Sequence, residues 1–107
     1  MRQMCVTELA EYLSTRDRPI LLDVREEHEL ANGKLQGIVH IPMQDIAEKL
    51  ADVSDNKDAT IVVICRTGNR SNNVGQFLEQ NGFTDVINLA GGMNAWALDI
   101  DPDMAVY

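Results

Sequence analysis

The sequence predicts an α/β domain in three layers, with helices on both faces of a parallel sheet. Segments with helical periodicity alternate with short apolar segments over residues 6–96 of the 107-residue chain. The segment ATIVVI at 59–64 has no polar alternation, which is typical of a strand covered on both faces. Because 45% of the residues are hydrophobic and no repeat divides the chain, we expect one domain at 1–98. The acidic tail at 99–107 is expected to lie over the surface or to be frayed.

The alternating segments are assigned from their periodicity and from the residues that bound them. Apolar residues at helical spacing indicate the helices, and short apolar runs bounded by proline, glycine or polar residues indicate the strands. In chain order they are a helix at 6–15, a strand at 19–25, a short helix at 26–33, a strand at 37–42, a helix at 43–53, a strand at 59–64, a helix at 71–82, a strand at 85–89 and a helix opening at 91–96. Thr7 is the expected N-cap of the first helix, whereas Gly33 and Gly82 are expected to end the second and the fourth.

The charge of the chain argues against polyanionic partners. It has 17 acidic and 9 basic residues, which gives a formal net charge of -8 at neutral pH. Such a surface repels phosphate backbones and anionic lipid headgroups, so we expect neither nucleic acid nor membrane as a partner. No apolar stretch approaches the length of a transmembrane helix, and the N-terminal residues lack the apolar core of a signal peptide. We therefore expect a soluble, cytoplasmic protein.

The cysteines and histidines do not form the pattern of a metal site. Cys5 and Cys65 are far apart, neither belongs to a C-x-x-C pair, and the two histidines add no ligand spacing. Two thiols in a chain without an export signal are expected to stay reduced. We therefore expect no metal and no cofactor.

One loop reverses the charge of the chain. It follows the predicted strand at 59–64, at the carboxyl end where α/β domains bind their ligands. Residues 59–78 contain no acid, but they include Arg66 and Arg70. Cys65 therefore lies in a small positive region of an acidic protein.

The composition of this loop is that of an anion cradle around a thiolate. If the amides of residues 66–71 turn inward they form a nest, to which the following helix adds its unpaired N–H groups. Gly68 permits the turn, and the arrangement would lower the pKa of the Cys65 thiol without a histidine base. A nucleophilic thiolate beside a second anion site suits transfer of an atom or group through a covalent intermediate. The alternative is a buried structural cysteine under a solvated basic loop.

Three motifs along the chain are similar to those of one known protein family. CRTGNRS at 65–71 resembles the active-site loop C-R-x-G-x-R-S of the rhodanese-family sulfurtransferases. LLDVREEHELANGKLQGIVHIP at 21–42 and FLEQNGFTDVINLAGGMNAW at 77–96 are similar to the family's motifs before and after that loop, in the same order. The resemblance spans about residues 6–97 and implies a five-stranded parallel sheet with helices on both faces.

The resemblance implies a two-step transfer of a sulfane sulfur. Cys65 would attack thiosulfate or a similar small anionic donor, release sulfite and carry a persulfide to an acceptor, which is cyanide or a thiol. The residues implied to bind the donor and cradle the persulfide are Arg66, Thr67, Gly68, Asn69, Arg70 and Ser71. Asp23 and Arg25 are interpreted as structural supports of the loop.

Two alternatives remain open beside an enzyme that uses small donors. A persulfide carrier, fed by a protein in a sulfur relay, would have the same loop, and a relay protein would then be its partner. Phosphatases and arsenate reductases of the same fold are disfavoured, because cysteine-dependent phosphatases carry C-x5-R. Here only four residues separate Cys65 from Arg70, and the tighter loop fits a persulfide sulfur better than a phosphoryl group.

Overall fold

The computed structural model describes residues 1–15 and 17–107 and contains a five-stranded parallel sheet. The strands are β1 (Arg2–Met4), β2 (Ile20–Asp23), β3 (Val39–His40), β4 (Thr60–Ile64) and β5 (Asp85–Leu89). They lie in the order β1-β5-β4-β2-β3, and each neighbouring pair is parallel. The predicted α/β fold around five parallel strands is confirmed, and β4 is its central strand.

Helices cover both faces of the sheet. The α-helices are α1 (Val6–Leu13), α2 (Leu50–Val53), α3 (Asn69–Gln80) and α4 (Gly92–Asp99), and 3₁₀ helices lie at Glu27–Asn32 and Met43–Asp45. Leu9 of α1 and Trp96 of α4 belong to the core on one face, whereas Val53 of α2 and Leu78 of α3 belong to the core on the other. Within the described residues, no helix combines the length and the apolar character needed to span a membrane.

The central strand β4 supplies side chains to both cores. Ile61 and Val63 point to the core under α3, whereas Val62 and Ile64 point to the core under α1 and α4. All four are fully buried, as the lack of polar alternation in this segment predicts. Each buried side chain of this size stabilises the fold by about 1.5–3 kcal/mol. The burial of these side chains fixes the position of the end of β4, from which the next loop begins.

The edge strand β1 is the element that the sequence analysis missed. It has only three residues, of which Arg2 and Gln3 are exposed, so no apolar run marks it. Its partner β5 specifies its position, since Gln3 is in register with Asn88. This pairing brings Gln3 to the carboxyl end of the sheet, close to the loop after β4.

The helix expected at 43–53 was predicted wrongly as one continuous element. The backbone forms the 3₁₀ helix at Met43–Asp45 and then α2 at Leu50–Val53, and the break falls at Lys49, where φ is −116° and ψ is 26°. Ile46 and Val53 both enter the core, whereas Met43 stays exposed. The core contacts of these two side chains override the helical preference of the intervening residues.

The predicted helix boundaries differ from the observed ones at two capping positions. The N-cap of α1 is Cys5, not Thr7, because Cys5 is extended and its amide donates to the Glu8 carboxylate at 3.2 Å. The helix after the loop begins at Asn69, two residues before the expected start. Gly33 ends the 3₁₀ helix with φ +123°, as the sequence predicts.

Residues 100–107 lie against the domain and are anchored at several points. The Ala105 amide donates to the Asn32 carbonyl at 3.0 Å, and the Tyr107 amide donates to Asn94 Oδ1 at 3.0 Å. The Met104 side chain packs against the core formed with α1 and α4, and it occupies the space beside Gly33. These contacts place the Tyr107 side chain at the carboxyl end of the sheet, close to the loop after β4.

Candidate active site

Cys65 lies directly after β4, with its side chain 1% exposed. The Gly68 amide donates a hydrogen bond to its Sγ atom at 3.1 Å, and Ser71 Oγ lies 3.3 Å from the same sulfur. Gly68 itself has φ +104° and caps α3, so the chain turns around the sulfur and enters the helix at once. The sulfur is therefore enclosed by the short loop that the sequence analysis identified.

The start of α4 holds the outer side of this loop. The Met93 and Asn94 amides donate to the carbonyl oxygens of Cys65 and Arg66 at 2.9 and 3.0 Å. A side chain at Gly92 would place its Cβ 2.5 Å from the Arg66 carbonyl, and Gly92 also has φ +58°. The glycine pair at the start of α4 thus lets the loop approach closely, and the amides that follow the pair bind the carbonyl oxygens of the loop.

The loop lowers the pKa of the Cys65 thiol. Burial of the side chain opposes ionisation, but hydrogen bonds from the Ser71 side chain and from the amides of Ser71, Gly68 and Thr67 outweigh it. The net pKa lies below the ordinary value for a thiol, as predicted from the composition of the loop. Amide donors and the N-terminus of α3 both favour the thiolate, which is the nucleophilic form of cysteine.

A chain of polar side chains continues from the sulfur to the edge strand. The Ser71 hydroxyl donates to Asn88 Oδ1, and Asn88 Nδ2 donates to Gln3 Oε1 at 2.8 Å and to the Gly68 carbonyl at 3.2 Å. A hydroxyl has one hydrogen to donate. While Cys65 is a thiol, Ser71 donates that hydrogen to Asn88. When Cys65 is a thiolate, the Ser71 hydroxyl must turn and donate the hydrogen to Sγ instead. Ser71 therefore couples the protonation state of Cys65 to Asn88.

Ser71→Ala is expected to raise the pKa of the Cys65 thiol, because the largest hydrogen-bond contribution to the thiolate is lost. The measurement is the pH dependence of alkylation by iodoacetamide in a Cys5→Ser background, where Cys65 is the remaining thiol. Asn69→Ala provides the control, since Asn69 is exposed in the same first turn of α3. An unchanged alkylation profile in folded Ser71→Ala would contradict this role of Ser71.

The two arginines of the loop have different surroundings. Arg70 forms a bidentate ion pair with Glu29, in which Nη1 and Nη2 each lie 2.8 Å from a carboxylate oxygen. Arg66 is exposed, and its Cζ atom lies 5.1 Å from the centre of the Tyr107 ring. Of the two residues predicted to bind an anionic donor, one is therefore already paired with a carboxylate.

Asp23 and Arg25 form a fully buried ion pair at the end of β2. Arg25 Nη2 lies 2.8 Å from Asp23 Oδ2, and Arg25 Nε lies 3.0 Å from Asp23 Oδ1. Arg25 also donates to the Gly33 carbonyl at 2.9 Å and to the Tyr107 hydroxyl oxygen at 3.1 Å. The pair thereby ties β2 to the 3₁₀ helix that carries Glu29.

Glu29 connects these charged residues, and no sequence signal distinguished it from its acidic neighbours. It pairs with Arg70 and accepts a hydrogen bond from the Tyr107 hydroxyl at 3.0 Å. Its partner Arg70, together with the Glu26 amide and Tyr107, lowers the pKa of the Glu29 carboxyl to about 2 against the cost of burial. Burial raises the pKa of the Tyr107 phenol, which keeps the hydroxyl protonated as a donor.

Glu29→Gln is expected to destabilise the protein near neutral pH by about 1–3 kcal/mol. The pKa of Glu29 is about 2 in the folded chain and 4.5 for an unperturbed carboxyl, so its stabilising effect is complete above about pH 4.5. That effect is lost as the pH falls towards 2, and the two proteins should then converge. Urea unfolding across this pH range measures it, with exposed Glu27→Gln as the control. A difference in stability that is as large at pH 2 as at neutral pH would contradict the assignment.

A cavity of about 530 Å³ opens beside the loop. Its lining includes Thr67 and Gly68 of the loop and a set of carboxamide side chains from β1, β5 and α3. The carboxamide residues are Gln3, Asn69, Asn72, Asn73 and Asn88. The site thus has a polar, uncharged wall on the side of β5 and β1, and a charged cluster around Glu29 that includes the end of β2.

Comparisons with known proteins find a family model and relatives that match most of this chain. The model of the rhodanese-like domain family matches residues 6–99. YtwF of Bacillus subtilis (strain 168), provisionally named a sulfurtransferase, is 39% identical over 102 residues, which is 95% of this chain and 96% of that protein. A protein named Sulfurtransferase from Allochromatium vinosum is 34% identical over 89 residues, which is 83% of this chain and 81% of that protein.

A solved structure shows the same fold over nearly the whole chain. The rhodanese-like domain protein from Staphylococcus aureus has a TM-score of 0.82 and 35% sequence identity, covering 90% of this chain and 91% of that one. The family match, the relatives and the solved structure agree with one another. This chain belongs to the rhodanese-like domain family.

Proposed function

We propose that this protein transfers a sulfane sulfur from an anionic donor to a thiophilic acceptor through a persulfide on Cys65. The observation that carries the proposal is the enclosure of Cys65 Sγ by hydrogen-bond donors, with the Gly68 amide at 3.1 Å. These donors lower the pKa of the thiol, so the thiolate fraction is larger than in an unperturbed cysteine, without a partner base.

The reaction proposed for thiosulfate has two displacement steps that balance without a redox cofactor. The Cys65 thiolate attacks the outer sulfur of thiosulfate, a new S–S bond forms, and the old S–S bond breaks so that its electron pair leaves with sulfite. The acceptor, cyanide or a thiolate, then attacks the terminal sulfur of the persulfide. The Cys65 S–S bond breaks, its electron pair returns to the cysteine thiolate, and thiocyanate or an acceptor persulfide is released.

The other residues of the loop are assigned supporting roles in this proposal. The amides of Thr67 and Gly68, with the Ser71 hydroxyl, would stabilise the thiolate and then the persulfide, since both carry negative charge. Arg66 would attract the anionic donor, because its side chain is exposed beside the loop. Arg70, paired with Glu29, and the buried pair of Asp23 with Arg25 would hold the loop in place. Asn69 is exposed at the rim of the neighbouring cavity and would contact the substrate.

The test is the intact mass of the protein after incubation with thiosulfate, beside Cys65→Ser, and again after cyanide. The expected result is a gain of one sulfur atom in the native protein, no gain in the variant, and discharge of the sulfur as thiocyanate. No gain in the folded native protein would exclude thiosulfate as the donor. Incubation with a persulfidated protein then separates the alternatives: a gain would support a carrier in a sulfur relay, and no gain would overturn the persulfide itself.

A further inference from the structure

The Tyr107 side chain touches the charged residues that surround the loop. Its hydroxyl accepts a hydrogen bond from Arg25 Nη1 at 3.1 Å and donates one to Glu29 Oε1 at 3.0 Å. Its ring faces the guanidinium of Arg66, with 5.1 Å between Cζ and the ring centre. A distance of this size is within the range of a cation–π contact. One side chain thus contacts two ion pairs and the remaining arginine of the site.

The charges around Cys65 are not equally available to a substrate. Asp23 neutralises Arg25, and Glu29 neutralises Arg70. Among the residues that the structure describes, Arg66 forms no ion pair, so it carries the uncompensated positive charge of the loop. The position of the Arg66 guanidinium therefore affects how strongly the site attracts an anion, in addition to the amides of the loop.

Tyr107 is fixed relative to the loop that carries Arg66. The Tyr107 amide donates to Asn94 Oδ1 at 3.0 Å, and the Asn94 amide donates to the Arg66 carbonyl at 3.0 Å. The preceding residues are anchored by the hydrogen bond from the Ala105 amide to the Asn32 carbonyl. The aromatic ring is thus tied to the same backbone whose side chain it contacts, and its hydroxyl is held by two further residues.

We propose that Tyr107 is a positioning residue that determines substrate charge preference: its ring holds the Arg66 guanidinium beside the Cys65 loop, so that the site favours anionic over neutral reagents. For the sulfur donor this inference rests on the proposed function. The charge preference itself applies to any reagent that reaches Cys65. It is therefore measurable without sulfur transfer.

The experiment compares alkylation of Cys65 by iodoacetate, which is an anion, with alkylation by neutral iodoacetamide. All variants carry Cys5→Ser, so that Cys65 is the thiol that reacts. Both reagents respond to the thiolate fraction in the same way, and the ratio of their second-order rate constants therefore reports the local positive charge. Tyr107→Leu is expected to lower this ratio about two- to fivefold. Tyr107→Phe, which keeps the ring, should retain the native ratio.

Two further variants identify Arg66 as the residue through which Tyr107 acts. Arg66→Gln should lower the ratio at least as much as Tyr107→Leu, and combining the two should cause no further decrease. Val106→Ala, in the same segment with a side chain that is 54% exposed, should leave the ratio unchanged. Tyr107→Met provides a longer, more adaptable side chain than leucine without an aromatic face, and it replaces Tyr107→Leu if thermal unfolding shows that the leucine variant does not fold.

The outcomes separate this inference from the proposed function. The inference is supported if the ratio falls in Tyr107→Leu or Tyr107→Met and stays at the native value in Tyr107→Phe. The ratio should also fall no further when Arg66→Gln is combined with Tyr107→Leu. An unchanged ratio in a folded variant, or an equal fall in Val106→Ala, overturns it. If the ratio falls as expected but the native protein gains no sulfur from either kind of donor, the proposed function fails while the role of Tyr107 stands.

Discussion

Cys65→Ser is expected to abolish sulfur transfer, with kcat/KM reduced by about 10³-fold or more. The serine hydroxyl does not ionise near neutral pH, and its oxygen cannot form the persulfide on which the proposed function depends. The smaller side chain fits the buried position and still accepts a hydrogen bond from the Gly68 amide, so we expect the variant to fold. Turnover of thiosulfate and cyanide to thiocyanate measures the loss, and circular dichroism checks the fold.

Cys5→Ser is the matched control for this prediction. Cys5 is exposed at the N-cap of α1, and serine is a favourable residue at that position. We expect its turnover to equal that of the native protein. Full activity in Cys65→Ser would show that the reaction does not use Cys65, and loss of activity in folded Cys5→Ser would show that Cys5 also takes part.

Arg25→Met is expected to destabilise the protein by about 3–5 kcal/mol, which is the usual cost of leaving one partner of a buried ion pair unpaired. Asp23 and Arg25 are both 0% exposed, so water cannot replace the missing guanidinium at the Asp23 carboxylate. The carbonyl of Gly33 also loses its donor. Urea unfolding at neutral pH measures the effect, and the melting temperature should fall by about 4–8 °C for each kcal/mol.

Two further variants test whether the loss of stability in Arg25→Met comes from the burial of the ion pair. Arg2→Ala breaks an ion pair with Asp85 of the same 2.8 Å length, but Arg2 is 62% exposed, so we expect a loss below about 1 kcal/mol. The double variant Asp23→Leu with Arg25→Met removes the stranded charge and should recover part of the stability lost in Arg25→Met. A cost for Arg25→Met no larger than that for Arg2→Ala would contradict the structural role of the pair.

The loop and the sheet were predictable because their signals are local in sequence. The apolar β-branched residues of β4 specify a strand buried on both faces, and the motif that follows specifies a short loop with a cysteine, a glycine and two arginines. The thiol pKa follows from neighbouring amides, which lie within six residues of Cys65. The strand β1 was missed for the opposite reason, since only its pairing with β5 makes it a strand.

The sequence by itself determined the family, the parallel α/β fold and the position of Cys65, because periodicity, turn residues and the loop motif are properties of adjacent residues. Only the tertiary structure shows which arginine of the loop is paired with a carboxylate. Glu29 pairs with Arg70 across 41 positions, and Tyr107 reaches Glu29 across 78, so neither contact has a local signal. Both contacts arise because the carboxyl ends of β2 and β4 lie close to residues 100–107 at the carboxyl end of the sheet. Among the residues that the structure describes, Arg66 is then the arginine of the loop that has no carboxylate partner.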